Sequence, residues 1–176
     1  MEPGKRLIDN CIRLLEQAGL LLDQLSAEIY SSTSPISPRG SIGGHLRHVL
    51  DFFDCFLLGL ESGRIDNNQR RRHLRVETDR RYAGQRIAET IVRLRAVTVK
   101  DYDATVLVCG ENDGVNELFW IRSSVLRELE ALQSHTIHHY SLIAMLLRLQ
   151  ETEPGAAFGV APSTLNHWRE EALCAQ

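Results

Sequence analysis

Five of the seven histidines in this chain lie in two short segments that are otherwise rich in apolar residues. The segment GGHLRHVLDFF contains His45 and His48, and the segment SHTIHHYSLI contains His135, His138 and His139. A buried imidazole needs a partner for each ring nitrogen, and several imidazoles in one core are hard to satisfy without a metal or a polar ligand. One histidine from the first segment and an i, i+4 pair from the second suffice for a three-nitrogen metal site with open coordination positions.

The spacing of the second segment determines how such a site would be built. His135 and His139 are four residues apart, so in a helix their side chains emerge on the same side, one turn apart. A third ligand must then come from a neighbouring helix. Neutral imidazoles suit Zn, Ni, Fe(II) or Cu(II), whereas Mg and Ca prefer oxygen ligands. The HxxxH spacing alone is a weak signal, and the intervening Thr-Ile-His does not fit the HExxH pattern of zinc peptidases.

The hydrophobic pattern predicts the helices that position these histidines. Apolar residues at helical spacing predict a first helix over residues 6–29, followed by a loop in SSTSPISPRG. Ser41 is a suitable N-cap for a second helix that continues to about Leu60. This helix has an apolar arc, with Arg47, Asp51 and Asp54 on its polar side. Within the arc, periodicity places His45 nearer the centre than His48.

The second half of the chain is predicted to contain two further long helices, separated by a segment whose hydrophobic pattern no longer has a helical period. A polar linker extends to Thr78, and Asp79 is the expected N-cap of a third helix. TVLVCG and ELFWIRS flank the turn-rich ENDGVN, which indicates a β-hairpin or an extended excursion over residues 105–122. Ser123 or Ser124 is expected to cap the last long helix, which continues to about residue 150, and a short helix follows Pro162. The expected fold is an all-α four-helix bundle with at least one long crossover, forming a single domain over residues 1–176.

Composition and charge narrow the classes of function. The net charge is −3 and the pI is near 6.2, so the basic footprint of a nucleic-acid-binding protein is missing. The longest apolar stretch is too short to span a membrane. The basic run QRRRHLR is expected to be a solvated loop. The N-terminal MEPGKRLIDN is charged throughout and has no apolar h-region, so we expect no signal peptide and a cytoplasmic protein.

The cysteines, the two remaining histidines and the aromatic residues are expected to have no role in a functional site. Four cysteines, Cys11, Cys55, Cys109 and Cys174, stand far apart without a CxxC pair, and we expect all four to be free thiols. Cys55 is expected to be a small core residue that lies too far along its helix to share an ion with His48. His73 and His167 lie in polar segments and are expected to be exposed. The aromatic residues, including Phe52, are expected to belong to the core.

The strings SIGGHLRHVLDFF, SHTIHHYSLIAML and FGVAPSTL resemble the DinB-like (DinB/YfiT) superfamily of small four-helix bundles, in particular a bacterial branch of it. The resemblance covers residues 7–165 and is specific at the two histidine motifs, S-I-G-x-x-x-x-H and HxxxH. It implies an up-up-down-down bundle, often dimeric, that holds a divalent metal near one end. The ligand positions fall on His48, His135 and His139. His45 and His138 are then expected to orient these ligands or to touch a substrate.

Three functions follow from this resemblance and from the histidines. The resembled superfamily includes S-transferases and isomerases that use low-molecular-weight thiols, so the first hypothesis is a metal-dependent enzyme, a thiol-dependent transferase or a hydrolase, binding Zn, Ni or Fe. The second is a non-catalytic module that binds a metal or a small ligand. The third is a structural, dimeric bundle with a buried histidine network. The sequence identifies no catalytic residue apart from the histidines, and we expect a homodimer.

Overall fold

The computed structural model describes residues 2–34, 37–99, 101–110, 114 and 118–174, and these residues are mostly helical. The helices are α1 (Pro3–Gln24), α2 (Ala27–Ser31), α3 (Ile42–Ser62), α4 (Leu74–Thr78), α5 (Arg80–Arg95), α6 (Val125–Arg148) and α7 (Pro162–Cys174). The strands are β1 (Thr33–Ser34), β2 (Ser37–Ser41), β3 (Arg64–Ile65), β4 (Thr105–Cys109) and β5 (Trp120–Ser124). The prediction of a helical protein with a minor β-excursion is confirmed at this level.

The first predicted helix is in fact two helices. The chain is extended at Leu25 and Ser26, and the Ser26 side chain accepts a hydrogen bond from the backbone N–H of Ile29, which caps α2. The prediction of one helix over residues 6–29 was therefore wrong in its last turns, because a serine that can cap a new helix competes with continuation of the old one. The following loop was also predicted incorrectly, because β1 and β2 pair as antiparallel strands within it. Pro35 lies outside the described residues.

Serine and aspartate caps fix the starts of the three later long helices. The Ser41 side chain accepts a hydrogen bond from the N–H of Gly44, Asp79 accepts one from Tyr82, and Ser124 accepts one from Arg127. All three caps satisfy backbone donors that the first turn of a helix leaves unpaired. Gly63, with φ of +70°, ends α3 in a left-handed conformation that favours glycine. The predicted starts of these three helices are confirmed.

Strands β3, β4 and β5 form a three-stranded sheet with β4 in the middle. β4 pairs antiparallel with β5, with Thr105 opposite Ser124 and Cys109 opposite Trp120, which confirms the predicted hairpin. The turn-rich ENDGVN falls largely on residues outside the described ranges. β3 pairs parallel to β4 and was not predicted, because it is a two-residue strand inside the polar linker. Its Ile65 is buried, and the linker also forms α4, whose Val76 is buried.

The four long helices pack against one another in pairs. Each of α1 and α3 contacts both α5 and α6. Their shared core contains the fully buried residues Leu15, Phe53, Leu129, Ile143 and Leu147. Burial of each such side chain contributes roughly 1.5 to 3 kcal/mol relative to exposure. α3 and α6, the two helices with the histidine motifs, are therefore held side by side by ordinary apolar packing.

The two aspartates on the polar side of α3, Asp51 and Asp54, are buried. Asp54 lies between α3 and α5, where its Oδ2 is 2.8 Å from Nη2 of Arg86 and its Oδ1 is 2.5 Å from Nη1 of Arg93. Asp51 is also buried, and its carboxylate lies 3.6 Å from the guanidinium of Arg47. Arginines on the facing helix make the buried Asp54 carboxylate tolerable, and the α3 sequence alone does not show them.

The segment after α6 folds back on that helix. The ring of Phe158 stacks on the fully buried ring of Tyr140, with centroids 4.8 Å apart. Gly159 has φ of +73°, and a Cβ atom there would lie 2.7 Å from the Tyr140 backbone, so a larger residue does not fit. α7 follows and confirms the predicted helix after Pro162.

Candidate metal centre

The packing of α3 against α6 brings four of the five clustered histidines into direct contact. His45 and His48 lie one turn apart on α3, and His135 and His139 lie one turn apart on α6; all four are half-buried. On α3, His45 and His48 each directly precede a residue of the buried stripe formed by Leu46, Val49, Leu50 and Phe53. Two segments that are about 90 residues apart in sequence thus contribute to a single cluster, as the histidine pattern predicts.

Three imidazole nitrogens converge within this cluster. The Nε2 atom of His135 lies 3.2 Å from Nε2 of His48 and 3.2 Å from Nε2 of His139. The possible ligand atoms of these three residues all lie within 4.8 Å of one another. His48, His135 and His139 could therefore hold one metal ion between them. These are the three residues on which the family resemblance placed the ligands.

His45 occupies a different position in the cluster. Its Nδ1 atom lies 2.9 Å from Nδ1 of His139, the ring nitrogen that does not face His135. If His139 used Nε2 to bind an ion, its proton would be on Nδ1 and would be donated to Nδ1 of His45. His45 could thereby fix the tautomer of His139. The central position that periodicity gave to His45 on α3 does not place it among the converging nitrogens.

His138 lies at the edge of the cluster. Its side chain is exposed, and its ring meets that of His139 edge-on, with centroids 5.3 Å apart. Burial lowers the pKa of both His45 and His135, and the nearby His138 adds to this lowering. A role for His138 in orienting a ligand or touching a substrate stays a prediction.

The surroundings favour neutral imidazoles. Burial, followed by the neighbouring His135, lowers the pKa of His48 to about 4. Burial, followed by His135 and His48, lowers the pKa of His139 to about 3. The pKa of His135 is also lowered, by burial first and then by His138 and Arg70. At neutral pH the three rings are therefore uncharged, which leaves one lone pair on each of them for a ligand.

A cation satisfies these nitrogens better than protons do. Each neutral ring carries one N–H, and His135 Nε2 is shared by two close neighbours. If His135 Nε2 carries a proton, that proton cannot be donated fully to both neighbours; if it does not, one lone pair must accept from both. An ion between the three rings takes up all three lone pairs at once. Nδ1 of His135 is buried without a hydrogen-bond partner among the described residues, so this ring is less constrained than His139.

Two residues beside the cluster were not predicted as part of it. The Phe52 ring lies over the histidines, with its centroid 4.1 Å from that of His135 and 4.8 Å from that of His48. The guanidinium of Arg70 lies 5.0 Å from the centre of the Phe52 ring, and its positive charge contributes to the lowered pKa of His48 and His135. Phe52 was assigned to the core, and the QRRRHLR run that contains Arg70 was expected to be a solvated loop.

Phe52 packs against the core as expected, although it is only half-buried and also contacts the histidines. The expectation of a solvated loop was wrong at Arg70, which is half-buried beside the site. The apolar periodicity of a helix does not distinguish residues inside the core from residues at the edge of a functional site. Nothing in the arginine run distinguishes Arg70 from Arg71 and Arg72, which are exposed. Their positions depend on how the linker folds after α3.

The remaining histidines and cysteines agree with the sequence analysis. His73 and His167 are exposed; His73 contacts the Tyr82 hydroxyl, and His167 lies 3.5 Å from Glu171. Cys55 is buried and does not contribute to the three-histidine group. All four cysteines are free, and Cys174 is the exposed one.

Comparisons with known proteins leave the DinB-like resemblance as a prediction. No protein-family model, curated protein or solved structure matches this chain. Within the described ranges, no helix combines the length and apolar character needed to cross a membrane. The geometry of the histidine cluster is therefore the main indication of function.

Proposed function

We propose that this chain is a metal-binding helical protein in which His48, His135 and His139 hold one divalent transition metal ion. The observation that carries the proposal is the convergence of three Nε2 atoms from two helices. The donor set of neutral imidazoles fits Zn, Ni or Fe(II). Three protein ligands leave coordination positions for water or a substrate, as in catalytic metal sites.

We further propose that the protein belongs to the DinB-like superfamily and forms its up-up-down-down four-helix bundle. The proposal is supported by the two histidine motifs and by the packing of α1 and α3 against α5 and α6. On this basis the activity would be that of a metal-dependent enzyme, such as a thiol-dependent S-transferase, acting in a reducing compartment as a homodimer. When bound, the metal would lower the pKa of a coordinated thiol or water.

The chain's own residues would contribute in distinct ways. His45 would hold His139 in the tautomer that exposes Nε2. Phe52 would exclude water from one side of His48 and His135. Arg70 would add positive charge close to the site and so favour anionic ligands. None of these residues is an evident general base, so a binding module without turnover is the alternative within this proposal.

Elemental analysis of protein purified without a histidine tag tests the proposal. We expect about one transition metal ion per chain, and almost none in the His135→Ala and His139→Ala variants. His167→Ala is the matched control, because His167 is exposed on α7, and this variant should keep its metal. A wild-type protein that takes up no Zn, Ni or Fe when these ions are supplied would refute the proposal.

A purely structural histidine network is the second candidate function. It is favoured by the direct ring-to-ring contacts, in which one nitrogen donates and the other accepts. The two candidates differ in their response to a chelator. A chelator should lower the melting temperature of a metal-binding wild-type protein but not that of His135→Ala, because only the folded metal-bound state gains from the ion. A structural network should be insensitive to the chelator.

A further inference from the structure

A small cavity opens beside the histidine cluster. It has a volume of about 210 Å³, and His135 forms part of its wall. The apolar side chains of Phe52, Phe56, Ile65 and Leu132 provide most of the remaining lining. The volume equals that of about seven water molecules at roughly 30 Å³ each, so it suits a molecule smaller than a typical drug.

Glu128 gives this apolar cavity one negatively charged wall. Its half-buried carboxylate accepts a hydrogen bond from the Ser123 hydroxyl through Oε1, at 2.6 Å. Among the described residues it has no cationic partner, whereas Glu130 on the same helix pairs with Arg127. Its position in the first turn of α6 is favourable for a carboxylate because of the helix dipole. The helix dipole explains why a glutamate is tolerated here. The hydrogen bond from Ser123 occupies Oε1 and leaves Oε2 available to a ligand.

The two ends of the cavity differ in charge. Glu128 precedes His135 by seven residues, which corresponds to about 10 Å along a helix. Arg70 adds positive charge at the histidine end, where it lies against the Phe52 ring. An apolar channel with a carboxylate at one end and a cationic environment at the other complements a short chain with an ammonium group at one terminus and an anionic group at the other.

We propose that this cavity binds a short aliphatic primary amine, with its ammonium group at Glu128, its chain against Phe56 and Leu132, and its opposite end directed at the histidine cluster. The inference deepens the proposed function, because a thiolate or carboxylate at the opposite end would reach the metal. Only that last contact depends on a bound metal. Recognition of the ammonium group by Glu128 does not.

Titration of the metal-free protein with n-hexylamine and with the neutral isostere 1-hexanol tests recognition of the amine. Binding is followed from the NMR signals of the Ala131 and Leu132 methyl groups, which line the cavity. We expect hexylamine to bind about ten times more tightly than hexanol, because hydrogen bonds to charged groups are stronger than neutral ones. Equal affinities for the two probes would overturn the inference.

Variants test whether the preference for hexylamine over hexanol depends on Glu128. Glu128→Gln should remove it, while Glu130→Gln, the same change on the same helix but outside the cavity, should retain it. Glu128→Asp keeps the charge and should retain part of it, which separates charge recognition from damage to the helix start. Ala131→Phe should fill the cavity and weaken both probes. A preference that survives Glu128→Gln, or affinities unaffected by Ala131→Phe, would place binding elsewhere and refute the inference.

A second titration separates this inference from the proposed metal function. In cobalt-substituted protein, 6-aminohexane-1-thiol and 6-mercaptohexan-1-ol are compared through the absorption of a cobalt–thiolate bond. We expect the aminothiol to bind about ten times more tightly, and Glu128→Gln to abolish the difference without loss of cobalt. Cobalt binding without any preference for the amine would overturn the inference and leave the metal site intact. If no metal binds, the proposed function fails and the hexylamine titration alone decides the inference.

Discussion

The two ring nitrogens of His139 face different histidines: Nδ1 lies 2.9 Å from Nδ1 of His45, and Nε2 lies 3.2 Å from Nε2 of His135. Only one proton can lie between the two Nδ1 atoms. When that proton belongs to His139, the Nε2 lone pair of the same ring is directed into the space shared with His135 and His48. The contact with His45 thus accommodates the form of His139 that can bind an ion, and an ion at Nε2 would in turn favour the proton on Nδ1 of His139.

We expect His45→Leu to weaken metal binding by about 10- to 100-fold without abolishing it, because the ligands remain while one of them loses its orienting partner. His45→Asn should be milder, since its amide oxygen can still accept the proton of His139. His48→Ala should remove most of the bound metal. Competition with a chromogenic chelator measures all three affinities. If the His45→Leu variant loses its metal while the His48→Ala variant keeps it, the α3 ligand is His45 and not His48.

We expect the metal-free protein to lose stability as the pH is lowered from 6.5 towards 4. The pKa of His48 is lowered to about 4 and that of His139 to about 3, in both cases mainly by burial, whereas unfolded rings titrate near 6.5. Between these values the unfolded chain binds more protons than the folded one, so the free energy of unfolding falls with falling pH. Urea denaturation at pH 7, 5.5 and 4.5 measures the slope.

The control for this pH dependence is His139→Leu, which lacks one of the two strongly shifted rings. Its free energy of unfolding should decline less steeply over the same interval. Parallel curves for the wild type and the variant would show that His139 is not protected from protonation in the folded state.

We expect one of the four thiols to react rapidly in the folded protein. Cys174 is exposed, whereas Cys11, Cys55 and Cys109 are buried. Burial raises the pKa of Cys11 to about 12 and that of Cys55 to about 11, so their reactive thiolate forms are scarce at neutral pH. A chromogenic disulfide reagent should count one fast thiol in buffer and four in denaturant. Cys174→Ser should lose the fast phase, and a lower count in denaturant would reveal an unexpected disulfide.

We expect Asp54→Asn to lower the free energy of unfolding by about 2 kcal/mol, because it leaves two arginines on α5 without their shared carboxylate. Asp54 is largely buried, whereas Arg93 is 39% exposed and can be partly rehydrated. Chemical denaturation measures the loss. Glu89→Gln is the matched control, since Glu89 also pairs with Arg86 but is 58% exposed, and its loss should cost less than about 0.5 kcal/mol. Equal effects of the two variants would contradict a structural role for Asp54.

The helix starts could be predicted from sequence because their causes are local. The side chains of Ser41, Asp79 and Ser124 each accept a hydrogen bond from the backbone N–H three residues later, at the start of a helix. The spacing of apolar residues predicts the rest of each helix. β3 could not be predicted, because two residues carry no period and Arg64 and Ile65 become a strand only by pairing with β4. The buried position of Asp54 likewise depends on arginines supplied by another helix.

The candidate ligands were predictable in type and number but not in arrangement. Periodicity identifies the buried face of α3, and it ranked His45 above His48 on that face. Which ring nitrogen faces which depends on the rotation of α3 against α6, which is set by core contacts such as those of Phe53 and Leu129. Arg70 and Glu128 were not singled out, because their proximity to the cluster is a property of the folded linker and of the cavity, and neither has a sequence motif.

The long separation between the two histidine motifs has a consequence for when the proposed ion could be acquired in the cell. His48 and His135 are 87 residues apart, and translation proceeds at about 5 to 20 residues per second. The ribosome therefore needs roughly 4 to 17 s after adding His48 before it adds His135. During that interval the growing chain lacks both α6 ligands of the proposed site. On this proposal the complete site forms only after synthesis of α6, so the supply of metal to the finished chain would determine whether the protein is filled.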